Sequence, residues 1–243
     1  MFNLFRNTAE KKNRYFPFTT DIHSHILPGI DDGSPDVETS ILLIRGLMEL
    51  GITRSVATPH IIGDMYRNDA GTINAALASL QQELKTRNIP FEVSAAAEYM
   101  IDGYFFDLLA EKQKLLTLKD NLLLTEFSYS SRPDHLEQMS FTIVTEGYIP
   151  ILAHPERYAY FHNDMQMYQR LKDIGFLLQV NLLSLTGYYG KDVARAAIYI
   201  IKNDMASFVG TDLHHDRHLS VLSHPRTIST LEKYLSQKTW NHF

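Results

Sequence analysis

The chain has 243 residues, enough to bury a full core in a single α/β domain. Its balance of 44% hydrophobic, 21% charged and 11% aromatic residues is that of a globular protein, and a net charge of −5 excludes the basic excess with which nucleic-acid binders neutralise phosphates. The absence of cysteine excludes disulfides, thiolate-rich zinc sites and a thiol nucleophile together.

The first sixteen residues carry Arg6, Lys11, Lys12 and Arg14 but no continuous apolar run. They read as part of a loosely ordered extension over 1–19 rather than a secretory signal, with peripheral contact to an anionic membrane as the alternative. No segment reaches the roughly 18 apolar residues that span a bilayer, so cytoplasmic residence is expected. A strand over 19–22 then runs into a Pro/Gly/Asp loop. Val37, Ile41, Leu42, Ile44, Leu47 and Met48 fall at helical spacing and predict a helix over 35–50, closed by Gly51. Next come a strand over 54–58, a helix over 72–87, a strand over 91–96, a helix over 102–113 and a strand over 121–127. A helix over 133–146, a strand over 148–153, a helix over 163–174 and a strand over 176–181 follow. A helix over 190–203, a strand over 206–210 and a helix over 225–236 complete the chain. About seven β/α units with short connections predict one domain over 20–243, a parallel sheet closed or nearly closed into a barrel. A doubly wound open sheet is the alternative.

The polar residues at the strand ends carry the chemistry. His23 and His25 alternate as the first strand ends, so they share a face and can grip one ion. Alone, such a pair is common on surface strands, and the Asp31-Asp32-Gly33 loop after it is an ordinary turn. The other strands change the reading: they end at His60, Glu98, Glu126, His154, and Asp212 with His214. Glu126 lies in a strongly apolar strand, where an unpartnered carboxylate is costly. The C-terminal ends of strands are where barrel active sites assemble. An imidazole and carboxylate set without sulfur suits manganese, iron or zinc in sites that keep open positions. Its size implies two or three clustered ions, held about 3.5–4 Å apart by shared carboxylates.

The strings DIHSHILPGIDDGS, ATPH, the isolated Glu98, TEF, ILAHPER and GTDLH, running from about Thr20 to His218, resemble the polymerase-and-histidinol-phosphatase (PHP) superfamily. Within it the chain resembles the bacterial manganese-dependent tyrosine-protein phosphatases of capsule and exopolysaccharide systems. The resemblance implies an α/β fold, a distorted (βα)7 TIM-like barrel with three ions at its C-terminal mouth. It assigns His23, His25, Glu126 and Asp212 to one ion, Glu98 and His154 with the shared Glu126 to a second, and Asp32, His60 and His214 to a third. Asp31 competes with Asp32 for that role. Arg157 matches an arginine that contacts substrate phosphate. Arg217 is the nearest candidate for a second one, although its spacing is two residues short.

The reaction this implies is phosphotyrosine hydrolysis by a metal-activated hydroxide, without a covalent phosphoenzyme. The implied substrate is a phosphotyrosine protein, a bacterial tyrosine kinase that regulates polysaccharide synthesis. The alternatives are a small-molecule phosphatase such as a histidinol-phosphate phosphatase, and a non-catalytic metal-bearing regulatory module. His215 and His218 read as surface residues of a polar loop, with proton transfer as the other role. Tyr188 and Tyr189 either stack on an aromatic substrate or cover apolar surface. Arg132 and His135 follow Glu126 closely enough to reach substrate, and Asp134 is placed to cap the helix after it.

Overall fold

The computed structural model describes residues 16–242. The strands are β1 (Thr20–Asp21), β2 (Arg54–Ala57), β3 (His60–Ile61), β4 (Glu92–Ala95), β5 (Glu98–Met100), β6 (Leu122–Glu126), β7 (Ile149–Ala153), β8 (Leu177–Asn181) and β9 (Ala206–Gly210). Between and after them lie α1 (Val37–Glu49), α2 (Ala70–Thr86), α3 (Gly103–Ala110), α4 (Leu136–Thr145), α5 (Gln166–Asp173), α6 (Lys191–Lys202), α7 (Asp216–Leu222) and α8 (Pro225–Leu235). Local chemistry sets several helix starts. Asp36 accepts from the Thr39 amide to cap α1, and Asp69 with Thr72 forms a reciprocal capping box on α2. Asp134 does not cap α4. That helix starts from His135 in a left-handed conformation, without a side-chain cap. The helix α7 lies in what the sequence suggests is a polar loop. It packs against α1 at Gly46, where an added Cβ would fall 2.2 Å from Leu219.

Every paired strand is parallel, as short β/α units require. The pairing runs β1-β2-β4 in one sheet and β3-β5-β6-β7-β8-β9 in another. The α/β reading with parallel strands therefore holds, whereas among the described residues the ladders do not form one continuous closed ring. The regular ladders lapse at Thr58-Pro59, where proline has no N–H to donate, and at Ala96-Ala97. Across the far edges, Asp212 N–H donates to the His23 carbonyl at 2.8 Å and His25 N–H to the Leu213 carbonyl at 2.9 Å. The buried Asp21 carboxylate joins the same two segments by accepting from the Thr211 amide and hydroxyl.

Two apolar layers hold these elements. The larger lies between strands and helices. The smaller (Ile22, Val56, Ala96, Leu118, Leu124, Ile151 and Ala153) gathers residues on or next to β1, β2, β4, β6 and β7. Alternation along each strand then sets polar groups above that apolar floor. Leu124 is followed on the same face by Glu126, and Leu177 by Gln179 and Asn181. The expected N-terminal extension falls mostly on residues 1–15, outside the described residues. Phe16 and Phe18, at its end, are buried against the core.

Candidate metal centre

The strand ends, with the loop between β1 and α1 that carries Asp32, bring all nine expected metal-site side chains together. Their ligand atoms fall into four groups, each within 4.8 Å: His25 with Asp32, His60 and His214; His23 with His25 and Asp212; His23 with Glu98 and His154; and His60 with Glu98 and Glu126. Two of these residues, His154 and Asp212, occupy the left-handed region at φ 36° and 51° as their strands end. Such a conformation costs a non-glycine residue about 1–3 kcal/mol, a strain typical of functional sites.

At the centre is Glu98, fully buried. Its Oε2 lies 3.1 Å from His23 Nε2, 3.4 Å from His25 Nε2 and 3.3 Å from His60 Nδ1, and its Oε1 lies 3.0 Å from His154 Nε2. Glu126, the carboxylate that the resemblance shares between two ions, lies 3.1 Å from His60 and 4.0 Å from His154. In this structure, then, the carboxylate common to most of the imidazoles is Glu98. The adjacent aspartates separate clearly. Asp31 turns its carboxylate to His25 Nδ1 at 2.8 Å and to the amides of Gly33 and His60. Half-exposed Asp32 lies 3.5 Å from His60 Nε2 and 3.6 Å from His214 Nε2.

Four of the five histidines turn Nδ1 outward to a fixed partner and Nε2 inward. The partners are Gln179 Oε1 for His23 (2.7 Å), Asp31 for His25, the Tyr129 hydroxyl for His154 (3.2 Å) and the Asp212 carbonyl for His214 (3.0 Å). His60 is reversed, with Nδ1 inward.

The charge balance of this cluster calls for cations. Burial disfavours an imidazolium at His23, but the Glu98 and Asp212 carboxylates outweigh it and push the residue up to about 9. Burial likewise opposes charge on His25, which Asp31 and Glu98 hold well above its ordinary value. For His214, burial and the nearby His25 charge act together and bring it down to about 4. Two buried atoms, His60 Nδ1 and Glu126 Oε1, face each other without a hydrogen bond. Such orphaned lone pairs within an imidazole–carboxylate cluster fit divalent cations.

Arg157 borders the centre. Its Nη1 donates to Asp212 Oδ2 at 2.8 Å, and its guanidinium lies 4.4 Å from the Tyr189 ring centroid and 5.1 Å from that of Tyr129. Arg217 is exposed in the first turn of α7, 5.9 Å from the Tyr188 ring, which in turn packs edge-on against Tyr189. His218 is not a surface residue. It is buried beneath this tyrosine pair and brought down to about 4 by burial and by His215. His215 is exposed and caps α7 by accepting from the His218 amide. Arg132 turns away from the centre to Met167 and Phe161. Sequence reasoning missed Gln179, Asn181 and Tyr129. The only signal for the first two is a pair of alternating amides in an otherwise apolar strand.

Residues 19–240 match the family described as capsular polysaccharide synthesis, CpsB/CapC. The tyrosine-protein phosphatase YwqE of Bacillus subtilis (strain 168) is 33% identical over 196 residues, 80% of this chain and 77% of that protein. The tyrosine-protein phosphatase CpsB of Streptococcus pneumoniae is 28% identical over 203 residues, 80% of this chain and 82% of its own. A solved structure from work on YwqE of B. subtilis and CpsB of S. pneumoniae, described as metal-dependent tyrosine phosphatases, superposes with a TM-score of 0.79. It shares 32% identity and covers 89% of this chain and 87% of that one. A histidinol phosphate phosphatase of Lactococcus lactis, solved with zinc, L-histidinol and phosphate, superposes with a TM-score of 0.55 at 12% identity, a likeness of fold alone. That match covers 92% of this chain and 94% of the other. Among the described residues no helix is long and apolar enough to cross a membrane. With its match extending over nearly all of the described residues, the chain belongs to the CpsB/CapC family of capsular polysaccharide synthesis proteins.

Proposed function

We propose that the chain is a metal-dependent protein-tyrosine phosphatase with three ions, manganese in the native enzyme. The observation that carries this reading is the convergence of nine ligand-competent side chains with two buried atoms left unpartnered. In this reading His23, His25 and Asp212 hold one ion, Glu98, Glu126 and His154 a second, and Asp32, His60 and His214 a third. Glu98 or Glu126 is shared between sites. When bound, such ions neutralise phosphoryl oxygens and acidify water near neutral pH.

The chain's own groups do the rest. Arg157, held by Asp212 and Tyr189, presents a planar donor fork to the equatorial phosphate oxygens. Arg217 flanks the same tyrosine pair and supplies a second, more exposed cation. A phenolate leaves with pKa about 10, so tyrosyl phosphate needs little protonation of its leaving oxygen. No side chain has to be assigned as general acid.

We infer further that the substrate is a phosphotyrosine protein of a capsule or exopolysaccharide system, as the names of the family and its relatives suggest, and we propose a tyrosine kinase in the cytoplasm as that protein. The two sheets are read as parts of one distorted seven-unit barrel, supported by the Ser24–Leu213 bridge across their far edges. Metal analysis combined with turnover of a phosphotyrosyl peptide and of histidinol phosphate, both with manganese, tests the proposal. Strong preference for the peptide is expected, and a large preference for histidinol phosphate overturns the tyrosine assignment.

A further inference from the structure

Strand β8 delivers none of the nine ligands, yet its two inward amides touch ligands that other strands deliver. Gln179 Oε1 lies 2.7 Å from His23 Nδ1, and Gln179 Nε2 lies 2.9 Å from Asn181 Oδ1. Asn181 Nδ2 lies 2.6 Å from Asp212 Oδ2. We propose that Gln179 and Asn181 form a polarised amide relay that sets the tautomer of His23 and orients Asp212, and so governs loading of the ion those two residues share. This rests on the metal-centre reading above.

The polarity follows from donor and acceptor chemistry, whichever way the amides are drawn. Asp212 Oδ2 already accepts from Arg157, and a carboxylate oxygen only accepts, so Asn181 must present its NH2 there. The other end of that amide is then an oxygen, which obliges Gln179 to present its own NH2. The remaining Gln179 atom is an oxygen, so His23 must carry its hydrogen on Nδ1. In the neutral imidazole Nε2 then keeps its lone pair for a ligand, and it faces Glu98 at 3.1 Å, His25 at 3.3 Å and Asp212 Oδ1 at 3.4 Å. The same relay occupies Asp212 Oδ2 and leaves Oδ1 toward the histidines.

The setting is built for this alignment. His23, Gln179 and Asn181 are fully buried and Asp212 is 2% exposed, so water does not compete. Glu156 Oε1 accepts from the Asn181 backbone N–H at 2.9 Å and fixes the strand end. Gly210 leaves room for the His23–Gln179 contact, since a Cβ there would fall 2.6 Å from His23 Cβ and 2.9 Å from Gln179 Nε2. An amide can turn over at little steric cost, reversing its donor and acceptor. Gln179 is held by Asn181, and Asn181 by Asp212. Losing Asn181 therefore frees Gln179 to turn its NH2 toward His23, which moves the imidazole hydrogen to Nε2 and blocks ligation.

The test uses calorimetric titration of the metal-free full chain with Mn2+, together with its thermal unfolding. Wild type, Gln179→Leu, Asn181→Leu, the double variant and Gln179→Glu are compared. Gln179→Leu is expected to weaken one binding step by about 10- to 100-fold. Asn181→Leu weakens that same step, and the double variant is no weaker than the worse single, because the two act in series. Gln179→Glu keeps an acceptor for His23 and binds more tightly at that step than Gln179→Leu. A packing role reverses that order, because it penalises the buried charge more. Additive losses, losses at different steps, or the reversed order overturn the relay. A wild-type chain that takes up no divalent ion overturns the metal centre itself, whereas a wild type that loads beside unaffected variants overturns only the relay.

Discussion

Glu98→Gln is the substitution that tests the core of the site most directly. Glu98 meets His23, His25, His60 and His154 within 3.4 Å, and it is fully buried with little solvent to screen the loss. Removing one partner from a buried charge network costs about 3–5 kcal/mol. Glu126 has one close imidazole, to which it makes no hydrogen bond, and a second at 4.0 Å, so Glu126→Gln should cost clearly less than Glu98→Gln. The comparison is made by urea unfolding of the chelator-treated chain. Its pH dependence follows from His23, which folding raises to about 9. That stabilisation is fully present below the unfolded value of about 6.5 and is lost as the pH rises through about 9. The deficit of Glu98→Gln should therefore be largest in mild acid and fade in alkali. If Glu126→Gln costs as much as Glu98→Gln, or the deficit grows with pH, the central placement of Glu98 is wrong.

Three further outcomes follow from the same geometry. Arg157→Lys keeps the charge but loses the planar fork, and should lower kcat for p-nitrophenyl phosphate about 10²-fold with the manganese content unchanged by elemental analysis. Because His23 Nε2 must be free of its proton to ligate, manganese affinity should rise with pH up to about 9. Calorimetry in buffers of different ionisation enthalpy should also register proton release on loading. Gly210→Ala forces a methyl between His23 and Gln179, and should cost about 1–3 kcal/mol in unfolding experiments while reducing metal uptake.

Much of this protein is written locally. Apolar residues at periods of two and near 3.6 mark seven of the nine strands and all but one of the α-helices, whereas β3 and β5, only two and three residues long, are too short to show a period. The exception, α7, is hidden by the polar run His214–Arg217; it is capped by His215 and seated against Gly46 of α1. Eight of the nine candidate ligands are visible at or beside strand ends, where ionisable side chains are expensive unless they bind something, whereas Asp32, in an Asp-Asp-Gly turn, is indicated only by the family resemblance.

What required the tertiary structure is everything that depends on which strand end faces which. Neighbouring Asp31 and Asp32 are indistinguishable along the chain, yet one orients His25 and the other turns to His60 and His214. Glu98 and Glu126 both end apolar strands, and only the packing of His23, His25, His60 and His154 around one of them makes Glu98 central. Gln179 and Asn181 leave only a faint trace in sequence, two alternating amides in an apolar strand, since a neutral amide advertises no charge. Their meaning comes from His23 and Asp212, residues 156 and 31 positions away that the fold brings within hydrogen-bonding distance. Side-chain type and period are properties of a segment, whereas the direction of a hydrogen bond between strands exists only once those strands are side by side.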